Sequence, residues 1–153
     1  MTNQIDVDIQ FLDDLWQDFS LTYATAEAVG LDLRACSKDA VLHFTPGQRQ
    51  PIPTGIALQI NEPAYAGFVF SRSGLGTKKG LVVSQGVGVI DPDYRGEIIV
   101  SLLNTSPQNQ VIERGERVAQ LLFMPAAQAR LRPVDSLHAT ARGSGGFGHS
   151  GRW

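Results

Sequence analysis

Apolar side chains along this chain recur in short runs, several with a two-residue period, and not in long stripes of helical spacing. Ile56-Ala-Leu-Gln-Ile60, Gly67-Phe-Val-Phe70, Glu97-Ile-Ile-Val-Ser-Leu-Leu103 and Val118-Ala-Gln-Leu-Leu-Phe-Met124 suit strands with one or both faces buried. Turn-forming residues separate them: Pro46-Gly47, Pro53-Thr-Gly55, Asn61-Glu-Pro63, Asp91-Pro-Asp93 and Arg114-Gly115. Proline presets φ there and glycine tolerates positive φ. Many short strands at this spacing predict an all-β fold, a jelly roll, sandwich or barrel. Two stretches break the pattern. Leu12, Leu15, Trp16 and Phe19 fall at helical spacing, and residues 73–79 predict one short helix directly after a strand.

At 153 residues the chain is long enough for one domain with a real core and short for two. A net charge of −2 argues against a protein that grips a nucleic-acid polymer through many phosphate contacts, so the arginines read as local features. Asp6, Asp8, Asp13 and Asp14 crowd the beginning, no basic start precedes them, and no apolar run approaches membrane-spanning length. The expectation is a cytoplasmic protein without membrane contact. Cys36 is the single cysteine; it agrees with a reducing compartment and reads as a small buried residue.

The candidate chemistry lies in glycine and arginine. In Arg142-Gly-Ser-Gly-Gly-Phe-Gly148 four glycines in six positions surround one aromatic ring beside an arginine. So little side chain cannot hold a packed fold, so this tail is expected to be mobile until a ligand orders it. Arginine offers forked donors to phosphate, glycine lets N–H groups approach an anion, and Phe147 offers a face to a base. Ser71-Arg72-Ser73-Gly74-Leu75-Gly76 is a second such segment, and at a helix start it forms an anion cradle. Lys78 and Lys79 extend it or form a solvated basic face.

Three further positions carry polar groups among apolar neighbours. Asp91-Pro-Asp-Tyr-Arg-Gly96 reads as a hairpin tip between two strands, where a carboxylate is a turn former or a base, and Tyr94 packs or selects. Strict alternation puts Gln120 on the face of Val118 and Leu122, where an amide needs a partner. Asp32, within Gly30-Leu-Asp-Leu-Arg-Ala35, suits pairing with an arginine. Other chemistries lack their residues: no phosphate loop ends in Gly-Lys-Ser/Thr, His43, His138 and His149 are too scattered for a local zinc site, and no nucleophile elbow occurs before the tail.

Taken together, these segments resemble the trimeric dUTP diphosphatase (dUTPase) family in its own motif order. Gly30-Leu-Asp-Leu-Arg-Ala35, Arg72-Ser-Gly-Leu-Gly76, Gly88-Val-Ile-Asp-Pro-Asp-Tyr-Arg-Gly96, Gly115-Glu-Arg-Val-Ala-Gln120 and Arg142-Gly-Ser-Gly-Gly-Phe-Gly148 match the five motifs. The resemblance implies a jelly-roll-like domain over residues 1–137, a flexible C-terminal arm over 138–153, and a homotrimer with active sites at subunit interfaces. It also implies hydrolysis of dUTP to dUMP and diphosphate with Mg²⁺, limiting uracil in DNA and supplying a thymidylate precursor.

Carried over residue by residue, the resemblance makes Asp91 the base that activates water. Arg72, Ser73, Gly74 and Gln120 would hold phosphates, and Arg142 would reach the γ-phosphate. Val89, Ile90 and Ile99 would line the uracil pocket, Gln85 would face the uracil edge, Tyr94 would exclude a 2′-hydroxyl, and Phe147 would stack on the base with Gly148 beside it. Asp32 would act on the metal only through water. The sequence departs from the family pattern at Val29, Ser71 and Gln85, where relatives have alanine, proline and asparagine. The Phe11 to Phe19 stretch lacks the family's prolines and any functional account. Two other readings stay open, a dCTP deaminase on a related fold and a dUTP-binding regulator without turnover.

Overall fold

The structure, a computed structural model, describes residues 4–146. It is built mainly of strands: β1 (Val7–Phe11), β2 (Leu31–Arg34), β3 (Val41–Phe44), β4 (Arg49–Pro53), β5 (Ile56–Ile60), β6 (Tyr65–Ser71), β7 (Leu81–Val83), β8 (Val87–Ile90), β9 (Ile99–Asn104), β10 (Gln110–Glu113) and β11 (Arg117–Pro125). Two short helices interrupt them, α1 (Leu15–Asp18) and α2 (Ser73–Lys79). A four-stranded sheet runs β2-β11-β6-β8 and a three-stranded one β4-β9-β7, with the pairs β1-β5 and β10-β3 beside them. All recorded pairings are antiparallel, and none joins strands consecutive in sequence, so each connection crosses from one sheet to another.

Alternation places the core. In β2, Leu31 and Leu33 point inward while Asp32 and Arg34 point outward; in β9, Val100, Leu102 and Asn104 point inward. Phe44, Ile52, Ile56, Leu81, Ile98 and Leu121 complete an interior closed to water, the main driving force for the fold. Asn104 is tolerated there because its amide donates to the Phe44 and Gln108 carbonyls and accepts from Ser106. Cys36 is buried, and burial, with Asp13 nearby, pushes its thiol up to about 12, so it stays protonated and packs as a small apolar group.

Three sequence expectations change in detail. The helical spacing of Leu12, Leu15, Trp16 and Phe19 yields a single turn: only Leu15 and Trp16 are buried, and Phe19 is already extended at φ −125. The chain before α1 is drawn into β1, and the Leu12 N–H continues that pairing onto Gly55 O at 2.8 Å. The strands flanking Asp91–Gly96 do not form a hairpin. β8 pairs with β6, whereas β9 pairs with β4 and β7, so the segment is a crossover between two sheets. Finally, Gln120 does not share a face with Val118. A bulge between Arg117 and Ala119 turns Val118 into the core, and Gln120 stays half-buried on the opposite face.

Beyond β11 the described chain carries no further helix or strand, and residues 126–146 are almost all exposed. Among the described residues no helix is long and apolar enough to cross a membrane.

Candidate active site

The bulge in β11 has a direct consequence on the outer face of the four-stranded sheet. It brings Arg117 to the same side as Gln120, and register sets Gln120 opposite Asp32 and Arg117 opposite Arg34. Arg117 Nη1 then lies 3.2 Å from Asp32 Oδ2. Arg72, where β6 passes into α2, places Nε 2.8 Å from Asp32 Oδ1 and donates to the Arg117 carbonyl at 3.3 Å. Gln120 Nε2 donates to Ser71 O at 3.2 Å. Arg34 sits alongside, donating to Gly115 O at 2.7 Å with its guanidinium 4.0 Å from the centroid of the Phe19 ring. Burial, together with Arg117 and Arg72, pulls the Arg34 pKa below its ordinary value, with Asp32 opposing. Two guanidinium groups thus meet one carboxylate with the third, Arg34, alongside, leaving a positive surface suited to an anion of several charges.

Ser73 and Gly74 open α2 on the exposed side. A side chain on Gly74 would meet nothing within 4 Å, so the backbone there is open to approach. Lys79 is committed elsewhere, to Glu116 at 2.8 Å and Val111 O at 3.2 Å, so it neither extends the cradle nor forms a solvated face, while Lys78 is exposed.

The second group surrounds a cleft of about 260 Å³ between β6, β7, β8, β9 and the crossover 91–98. Val69, Val83, Val89, Ile90 and Ile99 give it apolar walls, and Gln85, Asp91, Tyr94 and Glu97 supply polar groups. An apolar slot with few polar groups is the usual form of a small-molecule site. Val89 is 60% and Ile99 45% exposed, which is costly for aliphatic side chains unless something covers them. Ser84 Oγ links Ser101 Oγ at 2.9 Å to Gln85 Oε1 at 3.1 Å, so the Gln85 amide is held at the cleft edge. Asp91 closes a turn through its backbone, Tyr94 N–H to Asp91 O at 3.0 Å. No hydrogen bond or ion pair among the described residues engages its carboxylate, which stands exposed at the cleft.

Within one chain the Asp91 end of the cleft is apart from the arginine cluster, although its Val83 side reaches Ser71 Oγ at 2.8 Å. Ile90 stands opposite Gly67 on β6, five positions before Arg72, which at about 3.3 Å per residue is roughly 16 Å. Arg72, Asp32 and Gln120 are brought together; Asp91, Tyr94, Gln85, Val89, Ile90 and Ile99 are brought together; the first set does not meet the second. Arg142 is exposed in a local turn, donating to Gly145 O at 3.0 Å, and touches neither. Phe147 and Gly148 lie outside the described residues.

Sequence reasoning did not single out Arg117, Arg34 or Glu97. The signal for Arg117 was its place in the fourth motif, but only the bulge, which no side-chain pattern announces, sets it against Asp32.

The chain matches the dUTPase family model over residues 19–151. It is similar to the deoxyuridine 5'-triphosphate nucleotidohydrolase of Klebsiella pneumoniae subsp. pneumoniae, 49% identical over 148 residues that cover 95% of this chain and 97% of that protein. Among solved structures it resembles Streptococcus mutans dUTPase with TM-score 0.66 and 31% identity, over 80% of this chain and 98% of that one. It also resembles Staphylococcus bacteriophage 80alpha dUTPase with dUPNHPP, with TM-score 0.83 and 25% identity, over 98% of this chain and 99% of that one. The class is thus a β-rich domain of small antiparallel sheets. The chain belongs to the dUTPase family.

Proposed function

We propose that this chain hydrolyses dUTP to dUMP and diphosphate, as a cytoplasmic homotrimer whose active sites each combine the cleft of one subunit with the arginine cluster of another. The observation that carries the assembly is the separation within one chain. The strand position opposite Ile90, next to Asp91, stands five residues before Arg72, roughly 16 Å of backbone at about 3.3 Å per strand residue, which places the free carboxylate and the polyphosphate-suited arginines at opposite ends of the site and favours their supply by different chains. A second copy brings the two together, and its docking covers the exposed Val89 and Ile99. The jelly-roll domain over residues 1–137 supplies both halves, and the arm over 138–153 closes the site.

In this reading uracil enters the cleft between Val89, Ile90 and Ile99, with the Gln85 amide at its polar edge. Tyr94 packs on the deoxyribose and leaves no room for a 2′-hydroxyl. Arg72, Ser73, Gly74 and Gln120 of a neighbouring subunit hold the phosphates, and Asp32 keeps Arg72 and Arg117 aimed at them. Asp91 takes a proton from the attacking water, whose oxygen bonds to the α-phosphorus as the bond to the α–β bridging oxygen breaks, leaving dUMP and releasing diphosphate. Attack on a polyanion is limited by charge and positioning, which is why arginines and backbone N–H groups, not a covalent nucleophile, dominate the donor set. Arg142 and Phe147 bring the arm over the γ-phosphate and the base, and Gly148 allows its close approach; closure expels water.

The donor set fits an Mg²⁺ ion held chiefly by the triphosphate. Among the described residues no three His, Cys, Asp or Glu side chains gather into a cage, and both Asp32 oxygens are taken by arginines, so Asp32 would reach such an ion through its water shell. Bound there, Mg²⁺ would neutralise charge on the phosphate oxygens.

Turnover with dUTP against dTTP, dCTP and UTP tests the reading. Strong preference for dUTP is expected, with diphosphate released and no ammonia. Ammonia from dCTP would assign the deaminase chemistry instead, and tight dUTP binding without turnover would make the chain a regulator.

A further inference from the structure

We infer that Glu97 is a positioning residue for sugar selection: by accepting the Gly55 N–H it fixes the carbonyl that holds the Tyr94 hydroxyl, and so sets the Tyr94 ring at the cleft mouth. This rests on the cleft being the dUTP site and adds what determines how that site tells deoxyribose from ribose.

The Tyr94 ring is half exposed and folds back over its own loop. A Cβ built on Gly96 would lie 2.4 Å from the Tyr94 hydroxyl oxygen and 2.6 Å from ring Cζ, a distance no side chain tolerates, so the glycine is needed for the ring to lie where it does. The hydroxyl donates to Glu97 O at 3.0 Å. Without that anchor an exposed tyrosine has two side-chain torsions to explore, and steric exclusion of one oxygen atom cannot survive such freedom.

Glu97 is tied down in turn. Its Oε1 accepts the Gly55 N–H at 2.7 Å. The next residue, Ile98, is buried, donates to Ile56 O at 2.8 Å and accepts from Thr54 through both N–H, at 3.3 Å, and Oγ1, at 2.7 Å. Thr54 is itself wholly buried. The crossover is therefore fixed at its Glu97 end and exposed over most of Asp91–Arg95.

Gly55 cannot yield. It sits at φ +65, and a Cβ there would lie 2.6 Å from Asp13 Cβ, 3.0 Å from Cys36 Sγ and 3.1 Å from Trp16 Nε1. Trp16 Nε1 and Cys36 Sγ both donate to Thr54 O, at 2.9 and 3.1 Å. The Leu12 to Trp16 stretch, which no motif explains, thus forms a wall behind the 53–55 turn, and that turn holds the specificity loop.

The test is kcat and KM on dUTP and UTP for the wild type, Glu97→Ala, Glu97→Gln and Tyr94→Phe. Loss of one hydrogen-bonded anchor is expected to lower the dUTP-over-UTP ratio of kcat/KM by about tenfold or more in Glu97→Ala, through KM more than kcat. Glu97→Gln keeps an acceptor oxygen for Gly55 and should restore the ratio. Tyr94→Phe removes only the hydroxyl and should repeat the loss. A folded Glu97→Ala protein with the wild-type ratio overturns the proposal, as does Glu97→Gln failing as badly as alanine. If Glu97→Ala does not fold, an unchanged ratio in Tyr94→Phe overturns it alone. A wild type that hydrolyses neither nucleotide overturns the reading of the cleft and this role with it, whereas an active wild type with unchanged ratios removes only Glu97.

Discussion

Asp32 on β2 and Arg72 at the end of β6 meet at 2.8 Å across forty positions of sequence, and the second Asp32 oxygen meets Arg117 at 3.2 Å. The strand that carries Asp32 and the strand that ends just before Arg72 both pair with β11, so the sheet itself aligns the carboxylate and its arginines. The pair is part-exposed, with side chains 27% and 32% accessible, and such a pair contributes little to stability. Its value lies in direction. Asp32→Asn leaves the shape and removes the charge that orients two guanidinium groups; the protein should stay folded while KM for dUTP rises roughly tenfold. Steady-state kinetics beside a melting curve separates the two effects, and a fall in melting temperature with unchanged KM would return Asp32 to a structural role.

The arm gives the same separation in sharper form. Residues 126–146 bury little, so a chain ending at Ala141 should melt at the wild-type temperature. Its dUTP turnover should nonetheless collapse, by roughly 10²-fold, because closure and the Arg142 and Phe147 contacts are lost. Full activity in the truncated chain would make the glycine-rich end a bystander.

At the other end of the chain, Asp13 links α1 to the 114–116 turn. Burial pushes its carboxyl pKa up, but hydrogen bonds from Arg114 and the Leu15 N–H, with the Arg114 charge, outweigh this and hold it below 3.8. A carboxyl whose pKa is depressed by folding contributes stability above its unfolded value and loses it as pH falls through the folded value. The melting-temperature gap between wild type and Asp13→Asn should therefore be constant from about pH 7 to 5 and narrow below pH 3.8. A gap that persists at low pH would mean that packing, not ionisation, sets it.

Much of this was legible in sequence where a pattern is local. Period-two runs marked β5, β6, β9 and β11, and the glycine-arginine segments marked Arg72 and its neighbours. β1 went unread, although Val7, Ile9 and Phe11 alternate, because its apolar side is largely exposed. What stayed hidden depends on distant partners. Whether β8 and β9 pair with each other or with other strands is decided by the whole sheet, and residues 90–99 look the same in either case. The bulge at Arg117 and Ala119 reverses the face of Val118 without any change of residue type. The Glu97 to Gly55 bond joins positions 42 residues apart, which no spacing rule reaches.

If Asp91 and Arg72 serve one reaction from two different chains, mixed trimers distinguish that arrangement from a site built on a single chain. Asp91→Asn trimers, which keep the shape but lose the base, and Arg72→Ala trimers should each lose roughly 10²-fold or more in dUTP turnover. Co-refolded in equal amounts, the two inactive variants should recover about a quarter of wild-type turnover, since that fraction of interfaces pairs an intact Asp91 with an intact Arg72. Mixtures as inactive as the separate variants at every ratio would contradict it.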